Sequence, residues 1–285
     1  MKMRSSHDDM THSFTLGVLL ISLIFQLGCA SSIVACLPAH DYDGSASAIP
    51  YNSFVGVAST TINLSNICDP GTTQPCITQN LILGSGSIVY RSKSQPNIGY
   101  IMTAKHICDH KDDRPDEDDI DTKFIGHQFT VRDQFSRDHK AIYYFSSSKQ
   151  YVDVCILMIE DMDDSLAVAE LAPIAPNKGD VVYNVAAPGG FLPNGVALTF
   201  SGFYSGTNEI VSVYTISSAG GSSGSPIFNK DGKLVGLLWG YPTKENNRII
   251  EQISFSVPFE ELVLIINSID SADVIVKTLV KKLEI

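Results

Sequence analysis

Along most of the chain, apolar residues come in short runs, and Gly, Pro, Asn and Asp separate them. Runs of this kind read as β-strands rather than as helices, whose apolar positions recur every three to four residues. The pattern predicts strands at Ser53–Ala58, at Leu81–Tyr90 with a kink at Gly84-Ser85-Gly86, and at Tyr100–Thr103. Further strands are expected at Phe124–Val131, Ala141–Phe145 and Tyr151–Ile159, the last carrying Asp153 in an otherwise apolar run. A second series follows the crossing at Pro173–Gly179: Asp180–Ala186, Val196–Ser205, Ile210–Ile216, Pro226–Phe228, Leu234–Trp239 and Gln252–Val257. Many short strands with Gly/Pro punctuation indicate an all-β, barrel-forming chain. Two segments break the rule. Phe259–Asn267 and Ala272–Glu284 look helical, the second with Val276, Leu279, Val280 and Leu283 on one face.

The N-terminus is different in kind. No Asp, Glu, Lys or Arg occurs from Met10 to Ala39, Phe14–Leu27 is almost continuously apolar, and Lys2 and Arg4 precede it. This is the layout of a signal peptide. A retained signal anchor is the competing reading, since the uncharged span is long enough to cross a bilayer. Both place the remainder outside the cytoplasm. Cys29, after Leu27-Gly28, and Cys36, after Ile33-Val34-Ala35, each resemble the cleavage motif of bacterial lipoproteins, in which the cysteine is lipid-modified. The expected organisation is therefore residues 1–36 as export signal or anchor, 37–51 as tether and 52–285 as the folded domain. Any membrane contact is expected through the N-terminal anchor alone.

Charge narrows the partners. A net charge of −11 argues against nucleic acid, whose phosphates demand a basic face. The acidic run Asp109–Asp121 lacks the spaced acids and central glycine of an EF-hand, so it reads as a solvated loop and no metal is expected.

The candidate chemistry centres on Ser217-Ser218-Ala219-Gly220-Gly221-Ser222-Ser223-Gly224-Ser225-Pro226. Glycines let a backbone turn tightly and approach a bound group closely. A serine in such a loop has neighbouring N–H groups beside its oxygen, the arrangement that acyl transfer requires. A flexible linker of this composition would not sit between two buried strands. The serine needs a base. His106 lies just after an apolar strand, and Asp153 needs a partner to be tolerated among apolar neighbours. His110, His127 and His139 sit in polar, loop-like surroundings and read as surface histidines. Asp180 opens a strand after Lys178-Gly179, where a turn role suffices.

At these residues the chain resembles the trypsin-like (chymotrypsin-fold) serine peptidases. Thr103-Ala104-Lys105-His106 matches the T-A-x-H element, Asp153 the strand-borne aspartate, and Gly221-Ser222-Ser223-Gly224-Ser225-Pro226 the G-x-S-G-[GS]-P element, in the family's order. The resemblance covers roughly residues 52–260 and is closest in motif to the glutamyl-endopeptidase-like and HtrA-like members. It implies two six-stranded antiparallel β-barrels with C-terminal helices. It also implies Ser223 as nucleophile, His106 as general base and acid, Asp153 as its orienting partner, and the N–H groups of Gly221 and Ser223 as the oxyanion hole. The substrate would be a protein or peptide, and no cofactor is required. The substrate side chain would sit against Ser217, Ser218 and Leu238-Trp239-Gly240. Glutamyl-specific members carry a histidine where Leu238 stands, so an uncharged residue before the cut is expected. Ser222 replaces the aspartate that pairs with a newly cut N-terminus in digestive members, so that mode of activation is absent. Two readings result: an exported serine endopeptidase, or an inactive domain of the same fold serving as a peptide-binding surface lipoprotein.

Setting Cys29 and Cys36 aside leaves Cys68, Cys76, Cys108 and Cys155. An exported chain permits disulfides among them, in three connectivities. Cys68 and Cys76 share one loop, which favours that pair. Cys108 and Cys155 each lie two residues beyond His106 and Asp153, and are either bridged or buried thiols.

Overall fold

The computed structural model describes residues 48–65, 75–109, 122–193, 196–244, 248–249 and 252–283. The apolar N-terminal stretch with Cys29 and Cys36, most of the tether, Cys68, His110 and most of the acidic run lie outside the described residues.

The first half closes into a barrel of β1 (Phe54–Ser65), β2 (Cys76–Arg91), β3 (Gly99–Thr103), β4 (Thr122–Asp133), β5 (Asp138–Ser146) and β6 (Cys155–Ile159), in the order β1-β2-β3-β6-β5-β4. The second half closes likewise from β7 (Val181–Ala186), β8 (Leu198–Thr207), β9 (Ser212–Tyr214), β10 (Pro226–Asn229), β11 (Leu234–Gly240) and β14 (Ser254–Ser256), in the order β10-β11-β14-β9-β8-β7. All pairings within both barrels are antiparallel. A small pair, β12 (Thr243–Lys244) and β13 (Arg248–Ile249), stands apart.

Alternating burial along the strands separates three cores. Val55, Val57, Ile88, Ile101, Val131 and Leu157 fill the first barrel. Val182, Tyr204, Tyr214, Ile227 and Leu238 fill the second. A third cluster holds Phe54, Met102, Ile156, Val185, Phe228 and Leu237, residues of both barrels. Burial of this shared cluster ties the two barrels together at about 25 cal/mol per Å² of apolar surface removed from water.

Several boundaries differ from the sequence expectation. Asp153 precedes β6 instead of lying within it, because its carboxylate is drawn to His106 while Val152 and Val154 beside it are buried. β2 begins at Cys76, in what reads as loop, and its register shifts between Ile88 and Tyr90, not at the Gly84–Gly86 kink. The packed body includes Ile49, so it extends into the expected tether. The two expected helices are one, α2 (Phe259–Leu283). Its Leu262, Ile265 and Ile269 recur at helical spacing and pack on the shared cluster. Ser268 and Ser271 satisfy their hydroxyls on the carbonyls of Ile265 (2.7 Å) and Asn267 (2.9 Å), which lets polar residues continue the helix where the sequence suggests a break. No helix among the described residues is long and apolar enough to cross a membrane.

Candidate active site

His106 is presented by a single helical turn, α1 (Lys105–Cys108), directly after β3. Asp153 reaches it from the segment before β6. Its Oδ1 accepts the His106 backbone N–H at 2.9 Å, and its Oδ2 lies 2.6 Å from His106 Nδ1. An ionised carboxylate only accepts hydrogen bonds, so Nδ1 carries the proton and Nε2 keeps a lone pair facing away from the acid. The double contact fixes both the position and the tautomer of the ring. The histidine side chain is nearly half exposed, so the lone pair is open to solvent and substrate.

A disulfide braces the same pair. Cys108 and Cys155 are bonded, with Cα atoms 6.4 Å apart, so α1 is tied to β6 two residues beyond each partner. Of the two alternatives for these cysteines, the bridge is the one observed. Cys76 is also disulfide-bonded; Cys68, the other half of the bridge expected there, lies outside the described residues.

Ser223 sits on a loop held from several sides. Gly221 has φ +90°, and a Cβ there would come within 2.7 Å of Ala187 O and Gly189 N. Gly224 has φ +86°, and a Cβ would run into Ser85 O and Thr103 Oγ1 at the junction of the barrels. Only glycine fits both positions. The Gly220 carbonyl accepts the Gly189 N–H at 2.6 Å. A trans peptide sets its C=O and N–H antiparallel, so this bond turns the Gly221 N–H away from Gly189. Among the described residues, no acceptor meets the N–H of Gly221 or that of Ser223. Two adjacent free donors are what a developing oxyanion needs. Ser223 Oγ itself points to the Trp239 carbonyl at 3.4 Å, not to His106. Catalytic contacts of this kind are commonly long or misaligned without substrate and tighten only in its complex.

Three supports for the loop were not singled out from sequence. Ser85 donates its backbone N–H to Ser223 O (2.7 Å) and its hydroxyl to Gly221 O (2.8 Å), and the same hydroxyl accepts the Ala187 N–H (3.0 Å). Asn184, buried in β7, donates to Ser225 Oγ (2.7 Å) and Pro226 O (2.9 Å). Ser254 donates to Ile216 O at 2.6 Å and meets Ser218 Oγ at 3.3 Å, holding the start of the loop. A polar residue inside an apolar strand was the available signal for Asn184.

Of the expected substrate-binding residues, Ser217 is exposed and Ser218, Trp239 and Gly240 are partly so. Leu238 is different. Its side chain is 1% exposed and belongs to the second barrel's core, so it acts through its backbone, which bonds Gly224 N–H (2.6 Å) and Ser225 O (2.9 Å). A cavity of about 390 Å³ beside His106 is lined by Tyr151, Val152, Asp153, Ile210 and Trp239. A larger one of about 830 Å³ lies between β4 and β5, and the cysteine among its described lining residues is in the disulfide.

Among the rivals, His139 departs from the surface reading. It is buried, with Nε2 3.3 Å from Asp133 Oδ2 and Nδ1 2.9 Å from Asp161 Oδ2. Asp133 also accepts N–H bonds from Phe135 and Arg137 and pairs with the Arg137 guanidinium at 2.6 Å. Burial alone would push its carboxyl up, but these bonds hold it below the usual carboxylate range. The group organises the β4–β5 turn and contains no nucleophile. His127 lies within β4, half-buried. Asp180 fills the expected turn role, accepting the Asn177 N–H at 2.7 Å.

Comparison with known proteins places this geometry. The family model for a trypsin-like peptidase domain matches residues 84–237, more than half of the chain and including His106, Asp153 and Ser223. This chain belongs to the trypsin-like peptidase family. No curated protein matches it. The two closed six-stranded barrels are the family's chymotrypsin-like fold. In this trypsin-like peptidase domain the first barrel supplies the histidine and aspartate, and the second supplies the serine loop.

Proposed function

We propose that the protein is a serine endopeptidase that hydrolyses peptide bonds through Ser223, His106 and Asp153. The observation carrying this reading is the doubly hydrogen-bonded His106–Asp153 pair, set in the same domain as a serine loop with two N–H donors that no acceptor among the described residues meets. Ser223 Oγ attacks the scissile carbonyl, and His106 Nε2 takes its proton. Asp153 stabilises the imidazolium that results, and the N–H groups of Gly221 and Ser223 receive the carbonyl oxygen as it becomes negative. His106 then protonates the leaving amine. Water enters by the same base and releases the acyl group, restoring Ser223. No cofactor is called for.

The residue before the cut is uncharged in this reading. Ser217, Ser218, Trp239 and Gly240 offer hydroxyls and apolar surface but no charge to a substrate side chain. The N-terminal stretch supports export to the periplasm, the cell envelope or the medium, and a disulfide next to the site fits an oxidising compartment. Cleavage of casein by the purified protein, lost in Ser223→Ala, tests the activity. A peptide-library profile dominated by Glu, Lys or Arg before the cut would refute the specificity.

A further inference from the structure

The turn that leads into Asp153 is held from outside the first barrel. Between β5 and β6 the chain folds over Lys149–Val152, closed by the bond from Val152 N–H to Lys149 O at 3.2 Å. The base of this turn is fixed within the first barrel. Lys105 Nζ donates to Ser147 O at 2.8 Å, and Ser147 N–H donates to Val154 O at 2.9 Å. At the tip, the side chains of Gln150 and Tyr151 make no hydrogen bond among the described residues. Lys149 makes the link outward. Its ammonium donates to both carboxylate oxygens of Glu261, at 2.6 and 2.8 Å.

Glu261 is a firm support. It stands in the first turn of α2, where the N–H groups of the helix start favour an acid. Its own N–H donates to Pro258 O at 3.1 Å, and Leu262 beside it is buried in the cluster shared by the barrels. The Glu261 side chain is 17% exposed against 45% for Lys149, so the carboxylate is the fixed partner and the lysine the arm it catches. What the turn presents is a wall of the cavity beside His106. Gln150, Tyr151 and Val152 line that cavity, as do Ile210 and Trp239 from the second barrel. Ile210 has its own local fixture, because Asn208 Oδ1 accepts the N–H groups of Ile210 and Val211 at 2.8 Å each. Asp153 does not depend on the Lys149 link. His106 holds its carboxylate at two points, and the disulfide at Cys155 holds the strand that follows.

We infer that Glu261 is a positioning residue for substrate: through Lys149 it holds Tyr151 in the wall of the cavity beside His106. This rests on the peptidase reading. That reading sets Trp239 against the acyl side of the substrate, so the cavity Trp239 shares with Tyr151 receives the segment before the cut. Tyr151 is 44% exposed and has apolar ring surface to offer that segment. A wall ordered in advance need not be ordered when substrate arrives, so the ion pair strengthens binding. The bond-breaking step relies on His106, Asp153 and Ser223, whose contacts the pair does not touch.

The test uses the full chain, peptides with several residues before the cut, and a charge exchange. Glu261→Lys and Lys149→Glu should each raise KM by about three- to fivefold and leave kcat within about twofold. The exchanged pair, carrying both substitutions, should restore most of the loss. Tyr151→Ala should raise KM as well, and Glu261→Lys added to it should change nothing further. Labelling of Ser223 by a small fluorophosphonate, which does not reach the cavity, should keep its rate in every variant. Thermal melting shows that the samples compared are folded. An unmoved KM in both single variants, or the full effect of Glu261→Lys in the Tyr151→Ala background, overturns this inference and leaves the peptidase reading standing. A fall in kcat with slower labelling also overturns it, by placing the effect at Asp153. A wild type that neither labels nor cleaves overturns both.

Discussion

The Ser85 hydroxyl donates to the Gly221 carbonyl at 2.8 Å, joining the first barrel to the second at the loop that carries Ser223. With the bond from Ser85 N–H to Ser223 O, one buried serine holds the carbonyls of both residues whose N–H groups form the proposed oxyanion hole. Its effect on reaction is indirect, through the position of Gly221 and Ser223.

Ser85→Ala should therefore lower kcat by about tenfold while KM changes little, since a donor aimed at developing charge matters most in the transition state. The Gly221 carbonyl and Ala187 N–H lose a buried partner, which should cost about 1–3 kcal/mol of stability. Steady-state kinetics beside thermal melting separates the two effects. A change confined to KM would remove Ser85 from this role.

Asp153→Asn preserves shape but gives the His106 ring a donor where it has an acceptor. The ring then loses its enforced tautomer, and kcat should fall by about 10⁴. Circular dichroism should be unchanged. Retention of more than a tenth of the activity would show that another group orients His106.

The bridge between Cys108 and Cys155 closes a loop across a sequence separation of 47. Loop-closure entropy assigns it about 4 kcal/mol of stability. The double substitution to alanine should lower Tm by roughly 10 °C in a domain of this size. Because both cysteines stand two residues from the His106–Asp153 pair, activity should fall at temperatures where the protein remains folded. Differential scanning calorimetry and assays on the same sample check both.

The middle of α2 supplies a pH-dependent prediction. Asp273 is buried and accepts Ser92 Oγ (2.6 Å), Ser94 Oγ (2.5 Å), Lys93 N–H (2.8 Å) and Tyr90 OH (3.1 Å). Burial alone would raise its pKa, but the Ser92 and Ser94 hydroxyls, the Lys93 N–H and Tyr90 outweigh that and hold it at about 2. A folded-state value below the unfolded one means that the contribution, on the order of 2 kcal/mol, is complete above the unfolded pKa and is lost as pH falls toward about 2. Asp273→Ala should remove that acid-dependent part and raise hydrogen exchange in α2. Identical pH–stability curves for wild type and variant would exclude Asp273 as the anchor.

The parts of this site legible in the sequence are those with strict local requirements. Gly221 and Gly224 stand where the backbone has positive φ and no space for a side chain, so the serine loop leaves a recognisable string. His106 and Asp153 stand out because polar groups beside apolar runs need a reason. Ser85 and Asn184 left little trace, since each acts through single hydrogen bonds to residues far along the chain. The inward turn of Leu238 was hidden because β11 is buried on both faces, so its apolar run does not alternate. The break expected in α2 failed for a related reason: Ser268 and Ser271 bond within the helix, and Asp270, also in the expected break, pairs with Lys93, 177 positions earlier.

The central claim is that Ser223 is an activated nucleophile. The direct measurement is covalent labelling of the folded protein by a fluorophosphonate, located by mass spectrometry, alongside His106→Ala and heat-denatured protein. The account predicts a single adduct on Ser223 in the wild type, formed at least about a hundredfold more slowly in His106→Ala and absent after denaturation, because only a serine with its base in place reacts at useful rates. A folded wild-type protein that stays unlabelled, or labels equally in His106→Ala, would contradict it.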